Sequence, residues 1–83
     1  MNITEKVIDI IRTEMDTMIP ADVEITPDMN LASDLRIDSL DMVLIVDDIE
    51  EAFGIHIKTE DMTGIRTIAD IEEKIKLLQQ AQA

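Results

Sequence analysis

Asp38-Ser39-Leu40-Asp41-Met42-Val43-Leu44-Ile45-Val46-Asp47-Asp48-Ile49-Glu50-Glu51-Ala52-Phe53-Gly54 is the most regular stretch of the chain. Met42, Ile45, Val46, Ile49 and Phe53 recur at three- and four-residue spacing, the period of a helix with one apolar face. Asp38 has the short acceptor side chain favoured at a helix N-cap, and Asp41 places negative charge at the positive helix end. Gly54 supplies the left-handed residue that ends such a helix. The spacing therefore predicts a helix over 39–53.

The flanks extend this pattern. Upstream, roughly residues 17–37 carry Pro20, Pro27 and isolated apolar residues, namely Ile19, Val23, Ile25, Leu31 and Leu35. A connection of this length is uncommon in a compact domain unless its own side chains pin it, so these residues are expected to plug the core. Further upstream, Ile3, Val7, Ile10, Ile11 and Met15 predict a first helix over about 3–16, with Thr4 as its cap. Downstream, Thr59 to Thr63 fits a short helix with Thr59 as cap, Glu60 and Asp61 in its first turn, and Gly64 closing it. Thr67 caps a last helix over about 67–79, with Ile68, Ile71, Ile75 and Leu78 on its inner face. The Gln/Ala tail at 80–83 is expected to fray. The fold expected is all-α: one domain over 1–83, built as a small bundle of three main helices plus one short helix, with a long first loop.

The composition agrees with this expectation. A chain of 83 residues has room for one core, and 46% apolar residues exclude a disordered acidic tail. One aromatic residue, Phe53, and six Met mean that the core must be aliphatic. With no Cys, disulfides, thiolate metal sites and a cysteine nucleophile are excluded. The acids also lack the D-x-[DN]-x-[DN]-G spacing of a calcium-sensor loop. No apolar run approaches membrane-spanning length, and Glu5 and Asp9 interrupt any signal-peptide core, so a cytoplasmic protein is expected.

Charge narrows the partners. The formal net charge is −12, and residues 38–61 hold eight acids against one base, Lys58. Such a field repels nucleic acid and anionic membranes and attracts proteins with Arg/Lys patches. Leu40, Val43, Leu44 and Asp47 share a helix face separate from the core stripe. An apolar knob ringed by carboxylates suits transient docking, although Val43 or Leu44 could equally widen the buried stripe.

Ser39 is poorly equipped to attack a substrate. The single histidine, His56, lies beyond the helix end, a neighbouring Asp38 raises a hydroxyl pKa, and no G-x-S-x-G elbow exists. Asp-Ser at a helix start is also ordinary capping chemistry. If Ser39 acts, it acts as a hydroxyl to be modified.

The segment Asp34-Leu35-Arg36-Ile37-Asp38-Ser39-Leu40-Asp41, running into Ile45-Val46 and Glu50-Glu51-Ala52-Phe53-Gly54-Ile55, resembles the acyl carrier protein family. The similarity covers nearly the whole chain. The resemblance implies that Ser39 receives 4′-phosphopantetheine from coenzyme A through a separate phosphopantetheinyl transferase, with Asp38 part of the recognised motif. It further implies that partner enzymes with basic docking patches grip Leu40, Asp41, Val43, Leu44, Asp47, Asp48 and Glu51, with Glu60 and Asp61 extending the surface. A carrier of this kind is a monomer that performs no chemistry itself, and its acyl chain can retreat between the helices. A phosphate at Ser39 would sit where helix N–H groups and the dipole favour an anion.

Three positions depart from the family pattern. Arg36 stands where many members have Gly, Leu44 where fatty-acid carriers often have Glu, and Asp47 where they often have an apolar residue. These departures alter the docking face and point to a specialised lipid, polyketide or similar pathway. A peptidyl or aminoacyl carrier shares the fold and the arm, and an unmodified carrier fold serving as a structural subunit shares the fold alone.

Overall fold

The computed structural model describes residues 2–82. Its elements are α1 (Ile3–Glu14), α2 (Ser39–Phe53), a 3₁₀ helix (Thr59–Met62) and α3 (Ile68–Ala81). Among the described residues there is no strand, only an isolated antiparallel bridge between Asn30 and Thr67. The all-α architecture with one long first loop is thus the one the periodicity predicts.

Helix boundaries follow from their caps. Asp38 accepts from the Asp41 backbone N–H at 2.9 Å while the Asp41 carboxylate accepts from Asp38 N–H at 3.3 Å, satisfying two donors at the start of α2. Gly54 ends α2 with φ of 64°, in the left-handed region. Thr67 and Asp70 form the same reciprocal box at the start of α3. Two caps differ from expectation. Asn2, not Thr4, caps α1, because its side chain accepts from Glu5 N–H at 2.8 Å. Thr59 is the first residue of the 3₁₀ helix rather than its cap, and Asp61 there accepts from Lys58 N–H at 2.9 Å.

α1 packs against both α2 and α3. Val7, Ile11 and Met15 from α1, Ile45 and Ile49 from α2, and Ile68, Ile71 and Ile75 from α3 form the centre of one aliphatic cluster. The long loop closes it with Ile19, Ile25, Leu31, Leu35 and Ile37. Val23, expected among these plugs, is exposed, and Ile37 takes a buried place instead. Arg12 explains how the loop is held near Val23: its guanidinium donates to the carbonyls of Pro20 and Val23.

The end of α3 also departs from expectation. The helix continues to Ala81, and Gln82 is tied to the loop after α2 by two hydrogen bonds to His56. Residues 80–82 are therefore not a frayed tail; Ala83 lies outside the described residues.

Candidate functional site

Ser39 is the first residue of α2 and is exposed. Its hydroxyl takes no part in the capping bonds, which belong to Asp38 and Asp41. The approach to it is built by a tight loop. Asn30 Oδ1 accepts from the N–H groups of Ala32 and Ser33 at 2.9 and 2.8 Å, and Asp34 Oδ2 accepts from Asn30 N–H at 2.7 Å. Arg36 then adopts φ of 58°. This is the left-handed conformation that glycine occupies without penalty and that other L-residues adopt at a cost of about 1 kcal/mol or more. The turn aims the chain into Asp38 and the helix.

Beside Ser39 opens a largely apolar cavity of about 770 Å³. Met42, Val43 and Val46 of α2 face Ile57, Met62 and Ile65 from the segment around the 3₁₀ helix. The cavity reaches Glu50 and His56 near the far end of α2. From Ser39 to Glu50 is eleven residues, or about 16 Å of helical rise. Val46, predicted as core, thus lines this space instead of joining the central cluster. Met62, Ile65 and Arg66 also line it, and none of them stood out in sequence. The signal available was the run of apolar residues after Gly54 that fits no helical period.

His56 and Ser39 touch the same cavity without forming a catalytic pair. His56 Nδ1 lies 3.2 Å from Glu50 Oε2, which also accepts from Ile57 N–H at 2.7 Å. Among the described residues, no group of three or more His, Asp or Glu is arranged to hold a metal ion.

The predicted docking residues fall into three settings. Leu40, Val43 and Leu44 are 76%, 58% and 53% exposed, so they are not a widened core stripe. Asp47 and Glu51 on the same helix, and Glu60 on the 3₁₀ helix, are exposed, whereas Asp41 and Asp61 are half-buried and already serve as backbone caps. Asp48 turns toward α1. Its hydrogen bond with Glu14, aided by partial burial and by the negative charges of Asp48, Asp16 and Asp41, pushes the Glu14 carboxyl above the usual carboxylate range.

The family model described as "Phosphopantetheine attachment site" matches residues 5–75. The chain belongs to the acyl carrier protein family. It is 45% identical over 67 residues to an acyl carrier protein of Syntrophobacter fumaroxidans, covering 80% of this chain and 78% of that one. It is 40% identical over 75 residues to an acyl carrier protein of Rickettsia bellii, covering 90% of this chain and 89% of the relative. It is also 42% identical over 57 residues to a meromycolate extension acyl carrier protein of Mycobacterium leprae, covering 69% of this chain and 50% of the other. The chain thus spans about half the length of that mycobacterial relative. A solved structure from Mycobacterium tuberculosis, described as an acyl carrier protein, superposes with a TM-score of 0.80 at 25% identity, covering 92% of this chain and 97% of that one. Membership of this family implies a covalently attached 4′-phosphopantetheine group. The donor set fits such a group: a free hydroxyl, a capped helix start and an adjoining apolar space.

Proposed function

We propose that Ser39 carries the 4′-phosphopantetheine arm and that the chain presents acyl thioesters to partner enzymes of fatty acid, lipid or polyketide biosynthesis. The observation that carries this reading is an exposed hydroxyl at a rigidly capped helix start, opening onto a cavity of about 770 Å³. When bound, the arm supplies the thiol that a chain without Cys lacks. The chain's own residues do the rest. The Asp38–Asp41 box fixes the backbone on which Ser39 rides, so a transferase meets the hydroxyl in one setting. Met42, Val46, Met62 and Ile65 offer an apolar wall to a chain that folds back from the solvent. Tethering then raises the effective concentration of the cargo at each partner's active site.

The carrier acts as a cytoplasmic monomer that performs no chemistry itself, a reading supported by its similarity to acyl carrier proteins. Leu40, Val43 and Leu44 form the apolar part of its docking face, and Asp47, Glu51 and Glu60 supply steering toward basic partner patches. Exposed Leu44 and Asp47 favour the enzymes of a specialised pathway over those of housekeeping fatty-acid synthesis. Incubation with coenzyme A, magnesium and a broad-specificity phosphopantetheinyl transferase, followed by mass spectrometry, tests the reading. Wild-type protein gains one phosphopantetheine and Ser39→Ala gains none; equal labelling of both would refute the attachment site.

A further inference from the structure

Seven basic residues serve nineteen acids in this chain, and most of the exposed surface is therefore negative. Several cations are spoken for: Lys6 lies over the Phe53 ring, Arg12 holds the first loop, and Lys76 pairs with Glu72. Arg36 and Arg66 are both exposed, and neither forms an ion pair with the described residues. They lie far apart in sequence, yet backbone hydrogen bonds link Arg66 through Leu31 to Ile37, the residue after Arg36. Ile37 N–H donates to the Leu31 carbonyl at 3.0 Å, and Leu31 N–H donates to the Arg66 carbonyl at 2.8 Å. Ile37, Leu31, Arg66 and Ser39 all line the same cavity. Arg36 precedes Ser39 by three residues, so their Cα atoms are at most about 11 Å apart. That span is within the combined reach of an arginine and a serine-linked phosphate.

Both positions are held firmly. The Asp70 carboxylate accepts from the N–H groups of Arg66 and Thr67, at 3.0 and 3.1 Å, and these bonds hold its carboxyl below the usual range. Arg36 occupies its left-handed turn at an energetic cost that a glycine would avoid. A strained non-glycine residue beside a functional group is a reason to ask what its side chain does. Guanidinium groups recognise phosphate through paired N–H donors, and a new anion placed on this acidic chain without a counter-charge would add repulsion.

We propose that Arg36 and Arg66 form a two-pronged site for the phosphodiester on Ser39, seating the root of the arm at the mouth of the cavity. The inference rests on attachment at Ser39. It concerns residues from two separate segments, one in the loop before α2 and one before α3. With the phosphodiester held there, the remainder of the arm starts from the cavity rim rather than from free solvent.

The test uses apo and fully loaded forms of the wild type, Arg36→Gln, Arg66→Gln and the double variant. Mass spectrometry confirms loading in each, and Ser39→Ala serves as the unloaded control. Loading should raise the folding equilibrium constant of the wild type about two- to fivefold relative to the double variant, the range of exposed ion pairs. The ³¹P signal of the wild type should relax with the protein at low salt and like a free tether at 1 M salt, where the Debye length falls to about 3 Å. In the double variant it should relax like a free tether at both. Equal ³¹P relaxation and equal stability change in wild type and double variant would overturn the site. Loading of Ser39→Ala would instead overturn the attachment itself.

Discussion

Gln82 grips His56 by both backbone groups: its Oε1 accepts from His56 N–H at 2.8 Å and its Nε2 donates to the His56 carbonyl at 2.9 Å. This pair joins the last residues of the chain to the loop that follows α2, across 26 positions. Glu50 holds the same loop from the other side through Ile57 N–H. Gln82→Ala removes both bonds, and a typical hydrogen bond contributes about 0.5–1.5 kcal/mol net, less where water competes. A loss of about 1 kcal/mol in chemical denaturation is expected, with faster amide exchange at His56. Unchanged exchange there would show that the loop does not depend on the clamp.

Arg36 offers the opposite effect. At φ of 58° its side chain is a burden to the backbone, and the cavity fold does not need it for packing because it is exposed. Arg36→Gly should stabilise the apo protein by about 0.5–1 kcal/mol, the left-handed preference of glycine being partly offset by its more flexible unfolded chain. Urea unfolding of the apo forms checks this; a less stable glycine variant would mean that the guanidinium makes compensating contacts in the folded state.

These two residues also show where sequence reading stops. α2 was legible from end to end because its period, its Asp38 cap and its Gly54 terminus are all local signals. Arg36 hides its conformation, since nothing in an arginine announces a left-handed turn. Gln82 acts through a partner 26 residues away, so a polar tail and a docked tail look alike in one dimension. In the first loop the kind of residue was readable but not its place: Ile37 is buried and Val23 is not. The cavity was harder still. Val46, Met62 and Ile65 come from different segments, and an apolar residue facing a void has the same hydropathy as one facing a core.

Glu14 and Asp48 set a pH dependence whose sign can be worked out. Glu14 holds its proton more tightly in the folded state than its ordinary value of 4.5, so its contribution to stability grows as pH falls from neutral toward that value. Asp70, held down by the backbone N–H groups of Arg66 and Thr67, and Glu72, held down by Thr4 and Lys76, act in the other direction. Their contributions are present above 3.8 and 4.5 and are lost as pH drops through their lowered values. Glu14→Gln keeps a hydrogen-bonding partner for Asp48 while removing a like charge. Thermal melts should therefore show a more stable variant at pH 7 and a smaller change between pH 7 and 5 than in the wild type. A variant that melts lower at pH 7 would mean that the Glu14 carboxylate makes a stabilising contact that outweighs its repulsion by Asp48.

The same geometry divides the acids of α2 by role. Leu40, Leu44, Asp47 and Glu51 follow one another at four- and three-residue spacing and form a single exposed stripe. Asp48 is half-buried and engaged with Glu14. Charge reversal at Asp47 and Glu51 together should slow acyl transfer to or from a partner enzyme by about tenfold at low salt, and by less as salt rises, while the fold is unchanged. Leu40→Ala should likewise weaken partner binding without lowering the melting temperature, because its side chain is 76% exposed. Asp48→Lys, by contrast, should act first on stability, placing a cation beside Glu14, and only weakly on partner turnover. Steady-state transfer kinetics set beside thermal melts for the three variants separate these effects. If Asp48→Lys slows transfer as much as the Asp47/Glu51 reversal, the partner approaches α2 from the α1 side rather than along the Leu40–Glu51 stripe.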